Sequence, residues 1–278
     1  MNLGKILEKA TAQLRTVPGV EGVVLGGSRA RGTERPDSDI DIGIYYRAEV
    51  LDTDSLDAAT ATLDDEGRTG LLAVPGEWGP WVDGGAWLTV DGCSVDLILR
   101  DLARVDRCLG EVRSGIVTRH YQTGHPHAFT NAMYVGELAV CRVLWDASGA
   151  VDSLKRLAEG YPPQLGRALV HLFSFEAGFS AALAAANIER DDPYYVAAHV
   201  ARSVSCLNQV IFALNGAYLI NEKRAVGMAD AMSLRPERYK ERIDAVFTEL
   251  GNDPVSACRR LDGLVGEVKE LAVRPVGA

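Results

Sequence analysis

Three aspartates and a glycine-rich turn carry the residue types and spacing that could do chemistry in this chain. Asp39 and Asp41 stand two apart in Ser38-Asp39-Ile40-Asp41-Ile42, and on a strand both side chains leave the same face with Cβ atoms roughly 6.5 Å apart. Two carboxylates at that spacing can share hard divalent cations, which take oxygen ligands and keep phosphate partners. Eleven residues before Asp39, Gly26-Gly27-Ser28 closes a strand-like run. Paired glycines let the backbone turn tightly and approach a ligand closely. Their amides, the Ser28 hydroxyl and a helix start beyond can donate hydrogen bonds to phosphate oxygens. The third acid, Asp96, interrupts the apolar run Val95-Asp96-Leu97-Ile98-Leu99, where a charge is costly unless paired or metal-bound. If that strand neighbours the one bearing Asp39 and Asp41, the three acids meet at one point. Such a cluster suits an in-line displacement at phosphorus held between two metal ions about 3.5–4 Å apart. An Asp-x-Asp strand or a Gly-Gly-Ser turn is commonplace alone; their order and spacing, with Asp96 behind them, make the combination specific.

The elements that must position these residues read as α/β in the first half of the chain. Leu3, Ile6, Leu7, Ala10 and Leu14 recur at helical spacing over residues 3–15. Residues 20–25 predict a strand before the glycine turn, and 40–45 alternate with period two as a second strand. Residues 51–66 are polar and acidic, predicting a surface helix. Trp87–Val90 and Val95–Leu99 flank Asp91-Gly92, a hairpin turn signal. Val140–Leu144 predicts a last strand. From about Leu154 helical periodicity runs almost throughout, with Pro162-Pro163, Asp191-Asp192-Pro193 and Arg235-Pro236 as breaks and starts. The expected architecture is an α+β domain over residues 1–150, a mixed sheet with flanking helices, followed by an all-α bundle of four or five helices over 151–278. The tail after Arg274 reads as frayed.

Composition bounds the function. Of 278 residues 47% are hydrophobic and 24% charged, which places the chain with globular proteins. The apolar stretches read as short and interrupted, so no span of a bilayer is expected, and no signal peptide is evident. The five cysteines are scattered without a CxxC pair; they read as buried thiols of a reducing compartment, and the expected location is the cytoplasm. A net charge of −9 tilts the expectation away from nucleic acid and towards a small or cationic acceptor.

Gly27-Ser28, then Asp39-Ile40-Asp41, then a third acid on a later strand resembles the DNA polymerase β-type nucleotidyltransferase superfamily. The wording Gly26-Gly27-Ser28-Arg29-Ala30-Arg31-Gly32 and the helical second half are most similar to the branch of aminoglycoside and lincosamide adenylyltransferases and their uncharacterised relatives. The sharp motif spans about 70 residues; weaker similarity runs through Gly124–His127, Gly136-Glu137, Arg190–Val196 and Leu214 to Lys223. The resemblance implies that Asp39 and Asp41 bind two Mg²⁺, that Asp96 completes the metal site or acts as general base, and that Lys223 meets the triphosphate. Gly27, Ser28 and Arg29 would cradle the nucleotide. The implied reaction moves a nucleoside monophosphate, AMP from ATP by family frequency, onto a hydroxyl of a small molecule, with aminoglycoside- or lincosamide-like antibiotics as one class of acceptor. Transfer onto tRNA or protein, or nucleotide binding without turnover, are the competing readings; an intact set of three acids speaks against the last. The helical half would close the other wall of a cleft and hold the acceptor.

Beyond the motif, each residue has a structural and a functional reading. Glu176 falls on the core stripe Leu169, Leu172, Phe173, Phe179, Leu183, so it is either paired with a buried base such as Arg202 or lines a cavity. Asp192 precedes Pro193 and reads first as a helix cap, with acceptor binding as the alternative; Glu137 is comparable. Lys223 could complement a helix C-terminus. Arg29 and Arg31 could reach phosphates or be solvated. His125 and His127 flank Pro126 without a third ligand at zinc-like spacing, and read as a rigid, hydrogen-bonded turn. Trp78, Trp81 and Trp87 read as capping the sheet, with an aromatic wall as the alternative.

Overall fold

The period-two alternation around Asp41 and Asp96 places isoleucines, valines and leucines on one face of a sheet and the acids on the other. The computed structural model describes residues 2–273, so the tail expected to fray lies outside the described residues. Helix α1 (Leu3–Leu14) buries Ile6, Leu7, Ala10 and Leu14, and Asn2 caps it by accepting from the Lys5 amide. Strand β1 (Val20–Leu25) leads into α2 (Gly27–Ala30), a single turn, and then β2 (Ile40–Tyr46). Helix α3 (Thr53–Leu63), capped by Asp52, follows. It buries Leu56, Ala59, Thr60 and Leu63, so the polar run expected to be a surface helix has a full core face. Strands β3 (Gly85–Val90) and β4 (Cys93–Asp101) form the expected hairpin. Its two-residue turn takes positive φ at both Asp91 (48°) and Gly92 (72°), the geometry that matches strand twist, and the Asp65 carboxylate accepts from both turn amides at 2.9 and 2.8 Å.

Two helices and a short strand pair between the hairpin and the last strand have no counterpart in the sequence reading: α4 (Leu102–Arg113), β5 (Arg119–His120) with β6 (Phe129–Thr130), and α5 (Asn131–Val140). Helix α5 buries residues all round it, including Asn131, Met133, Tyr134, Val135 and Leu138, so it shows no polar face from which a helical period could be read. The last strand is β7 (Arg142–Asp146); Val140 closes the preceding helix, so the strand expected from Val140 starts two residues later. Helix α6 (Ala150–Glu159) follows.

The main sheet runs β3-β4-β2-β1-β7. Strands β2 and β4 are parallel, and the other pairs are antiparallel. A parallel pair needs a crossover, which α3 and the segment returning through β3 supply. Behind the sheet Ile40, Ile42, Ile44, Val95, Leu97 and Leu99 pack with Ile6, Leu7, Leu56 and Leu63 in one core, each contributing roughly 1.5–3 kcal/mol of apolar burial.

The chain divides into two compact units: Met1–Glu111, Arg119–Gly124 and Ala128–Gly160 form one; Val112–Thr118, His125–His127 and Tyr161–Ala278 form the other. The second unit is helical. Helix α7 (Pro163–Ala186) starts on Pro163, and a 3-10 turn (Ile188–Arg190) leads to α8 (Pro193–Leu214), followed by α9 (Ala225–Asp230), α10 (Tyr239–Glu249) and α11 (Pro254–Val273). Arg238 at φ 53° caps α10, so that helix begins later than Arg235-Pro236 suggests. Helix α7 is long and apolar enough by length and composition to cross a membrane, which corrects the expectation that no segment is. Within this unit it packs against α8 and α11 and carries the ion-paired Glu176.

Candidate active site

Strand pairing brings the acids together. Asp41 on β2 and Asp96 on β4 are direct partners in the parallel ladder, so their side chains share a face at a strand spacing of about 4.8 Å. Asp39 immediately precedes β2 and is exposed, while Asp41 and Asp96 are half-buried. Asp39 and Asp96 line one open cleft of about 430 Å³ together with Arg68, Trp87, Leu88, Thr89 and Ser94.

The glycine turn is built against Asp41. The Gly26 amide donates to the Asp41 carbonyl at 2.8 Å. Gly27 has φ 60°, and a Cβ there would lie 1.7 Å from Asp41 Oδ2, so this position requires glycine for both conformation and space. Ser28 follows in α2 and is half-buried. The Arg29 guanidinium donates to the carbonyls of Ser38 and Asp39, the latter at 3.0 Å. It thereby ties α2 to the segment that delivers Asp39, and two of its donors are spent on backbone. Arg31 Nε donates to the Gly27 carbonyl at 3.3 Å.

The remaining candidates of the first unit have structural partners. Glu137 accepts from Arg100 Nε and Nη2 at 3.0 and 2.6 Å. Arg100 is buried, and its guanidinium pKa is nonetheless raised: burial opposes the charge, but the Glu137 carboxylate, together with Tyr134 and Tyr45, outweighs that opposition. Arg68, on the cleft wall, is gripped by the buried Asp64 carboxylate at 2.9 and 2.6 Å; that hydrogen bond holds the Asp64 pKa well below the usual carboxylate range. The three tryptophans separate. Trp81 is buried among His120, Phe129 and Tyr134, whereas Trp87 is 64% exposed and stacks on Trp78 with centroids 4.5 Å apart.

In the helical unit, Glu176 is buried and meets Arg202 Nη2 at 2.5 Å, the pairing weighed from the sequence. Asp192 caps α8 by accepting from the Tyr195 amide at 3.0 Å. Lys223 is exposed in a turn nine residues past the end of α8, with its amide donating to Asn221 Oδ1 at 2.7 Å. The His127 amide donates to Glu222 Oε2 at 3.2 Å, as a hydrogen-bonded turn would. Sequence spacing gave His127 no third metal partner, yet the fold gathers its ring with Glu176 and Cys206, ligand atoms within 4.8 Å of one another. The Arg202 guanidinium already brings to Glu176 the positive charge a cation would bring.

No curated protein matches the chain. Among solved structures it is similar to a nucleotidyltransferase-like protein from Exiguobacterium sibiricum 255-15, at 10% identity, covering 97% of this chain and 74% of that one with a TM-score of 0.45. Residues 5–78, the stretch that holds the glycine turn, Asp39 and Asp41, match the family model of the nucleotidyltransferase domain.

Proposed function

We propose that this protein transfers a nucleoside monophosphate, AMP from ATP, onto a hydroxyl of a small acceptor, with release of pyrophosphate. The observation that carries the reading is the in-register pair of Asp41 and Asp96 next to a turn whose Gly27 has no room for a side chain beside Asp41. The donor set fits a hard divalent cation, being all carboxylate oxygen and reachable from solvent. Asp39, Asp41 and Asp96 would hold Mg²⁺, which supplies charge neutralisation at the reacting phosphate and lowers the acceptor's pKa. The amides of Gly27 and Ser28 and the Ser28 hydroxyl bind the triphosphate oxygens. Arg29 keeps the backbone at Asp39 in place through its hydrogen bonds to the Ser38 and Asp39 carbonyls. Asp96 accepts the proton of the attacking hydroxyl. The resemblance assigns Lys223 to the triphosphate; K223A should then raise the KM for ATP. Glu137 and Asp192, by that resemblance, and Glu176, by its place on a core-facing stripe of an acidic chain, are the proposed acceptor contacts, each also engaged structurally as described. An acidic chain with five cysteines outside any disulfide suits a small acceptor in a reducing compartment such as the cytoplasm.

Pyrophosphate release tests the reading, with Mg²⁺, each NTP in turn, and a panel of aminoglycosides, lincosamides and cell extract, followed by mass analysis of the acceptor. D41N serves as the blank. Mg²⁺ with ATP should also raise the melting temperature well beyond Mg²⁺ alone, because such cations complete their coordination with substrate phosphates. Release that persists above a tenth of wild type in D41N, or a melting shift by ATP that EDTA leaves unchanged, overturns the assignment.

A further inference from the structure

Trp87 lies in the same row as the acids. It is the direct antiparallel partner of Asp96, which is in turn the partner of Asp41, so the three side chains stand on one face across β3, β4 and β2. Beyond Asp41, on the far side of this row, the Gly26 amide begins the glycine turn. The order across the sheet is therefore indole, acid, acid, phosphate-binding turn. An in-line displacement sets nucleophile and leaving group on opposite sides of the phosphorus. With the leaving pyrophosphate on the turn, the nucleophile enters from the side of Trp87.

The indole is held there and not merely left exposed. Trp78 stacks behind it at 4.5 Å with planes 21° apart. A Cβ on Gly85 would come within 2.8 Å of Trp78 Cζ3, so glycine makes the seat for that second ring. The buried Gln122 side chain clamps the loop that carries it, donating to the Trp78 carbonyl at 2.9 Å and accepting from the amides of Trp81 and Val82 at 3.1 and 3.3 Å. Arg68, braced by Asp64, lines the same cleft and offers a guanidinium to oxygen atoms of a bound molecule.

Resting on the nucleotidyl-transfer reading, we propose that Trp87 is the acceptor platform, and that the acceptor is a ring-bearing alcohol whose flat face lies on the indole while its hydroxyl faces Asp96. A sugar ring presents C–H groups to the indole, and an aromatic ring presents its π-face; both take the same platform.

The test uses the full chain with Mg²⁺ and α,β-methylene-ATP, wild type against W87A and W87F, all checked for unchanged melting. The probes are a disaccharide aminocyclitol, a lincosamide, a nucleoside, a simple phenol, and mannitol as an acyclic control; indole fluorescence and calorimetry read binding. At least one ring alcohol should quench the fluorescence, lose about tenfold or more in affinity in W87A and regain most of it in W87F, with mannitol silent. Affinity for α,β-methylene-ATP should stay within twofold. An equal loss of nucleotide affinity in W87A gives the platform to the donor's base and overturns the proposal, as does a panel that binds W87A as well as wild type or binds neither. Self-association abolished by W87A would make the face a contact between copies and also overturn it. Absence of any Mg²⁺-dependent nucleotide binding in wild type would instead strike the nucleotidyl-transfer reading itself.

Discussion

Gly27 and Asp41 interlock: the place where a Gly27 side chain would begin is filled by the Asp41 carboxylate, 1.7 Å from an ideal Cβ to Oδ2. The neighbouring Gly26 differs. It has φ −112°, and a Cβ there would meet Asp41 at an ordinary 3.8 Å.

This contrast predicts opposite outcomes for two adjacent alanines. G27A must displace the Asp41 carboxylate or rebuild the turn, and it also places alanine at φ 60°, costing about 1–2 kcal/mol from backbone conformation alone. It should destabilise the metal-free protein and reduce pyrophosphate release at least a hundredfold. G26A should keep the stability of the parent within about 0.5 kcal/mol, the range of a substitution that disturbs no packing. Denaturant melts of both variants in EDTA check this. Equal stability for the two would mean that the turn relaxes away from φ 60° and that the Asp41 side chain moves aside freely.

How much of this site was legible beforehand follows from which contacts are local. The turn, the Asp39-Asp41 pair and the intrastrand Asp96 were visible because strand alternation is a property of adjacent residues. The parallel pairing that sets Asp41 beside Asp96 was only a condition, since neighbouring strands are chosen by a core in which Ile40, Ile42 and Ile44 meet Val95, Leu97 and Leu99. Helix α5 was invisible because burial on all sides erases its period. The Arg100–Glu137 pair joins residues 37 apart, and His127, Glu176 and Cys206 come from three separate segments. No spacing rule reaches such partners.

Burial makes the thiols report on the fold. The Cys108 pKa is pushed up to about 11 and that of Cys141 to about 12, from an ordinary 9.0, with burial as the leading cause in each. A raised thiol pKa means that the folded state keeps its proton where the unfolded state has lost it. Stability from these groups is therefore intact below about pH 9 and falls as pH rises towards the folded values. At pH 8 the half-buried Cys93 should react first with a disulfide reagent, and C93A should abolish the fast phase; Cys108 and Cys141 should react only as fast as the protein opens. Rapid labelling of two or more thiols in C93A at pH 8 would contradict the burial assigned here.

Glu176 poses the sharpest choice between fold and function. Its carboxylate is buried, 2.5 Å from Arg202 Nη2 and 3.6 Å from His127 Nε2. Removing the base leaves a buried charge without its main partner. Because the Arg202 side chain is half exposed and solvent screens the pair, the loss in R202A should be about 1–3 kcal/mol, below the 3–5 typical of a fully buried pair. E176Q removes the charge that needs the partner, so it should cost less than R202A. In the double variant the R202A cost should largely vanish, and chemical denaturation of all four proteins measures that coupling. Acceptor kinetics on the same preparations settle the other half. If Glu176 also contacts the acceptor, E176Q raises the acceptor's KM while the KM for ATP holds steady, an outcome that a purely structural pair does not produce. A coupling near zero together with unchanged acceptor kinetics would remove Glu176 from both roles, and the burial of its carboxylate would then require another ligand.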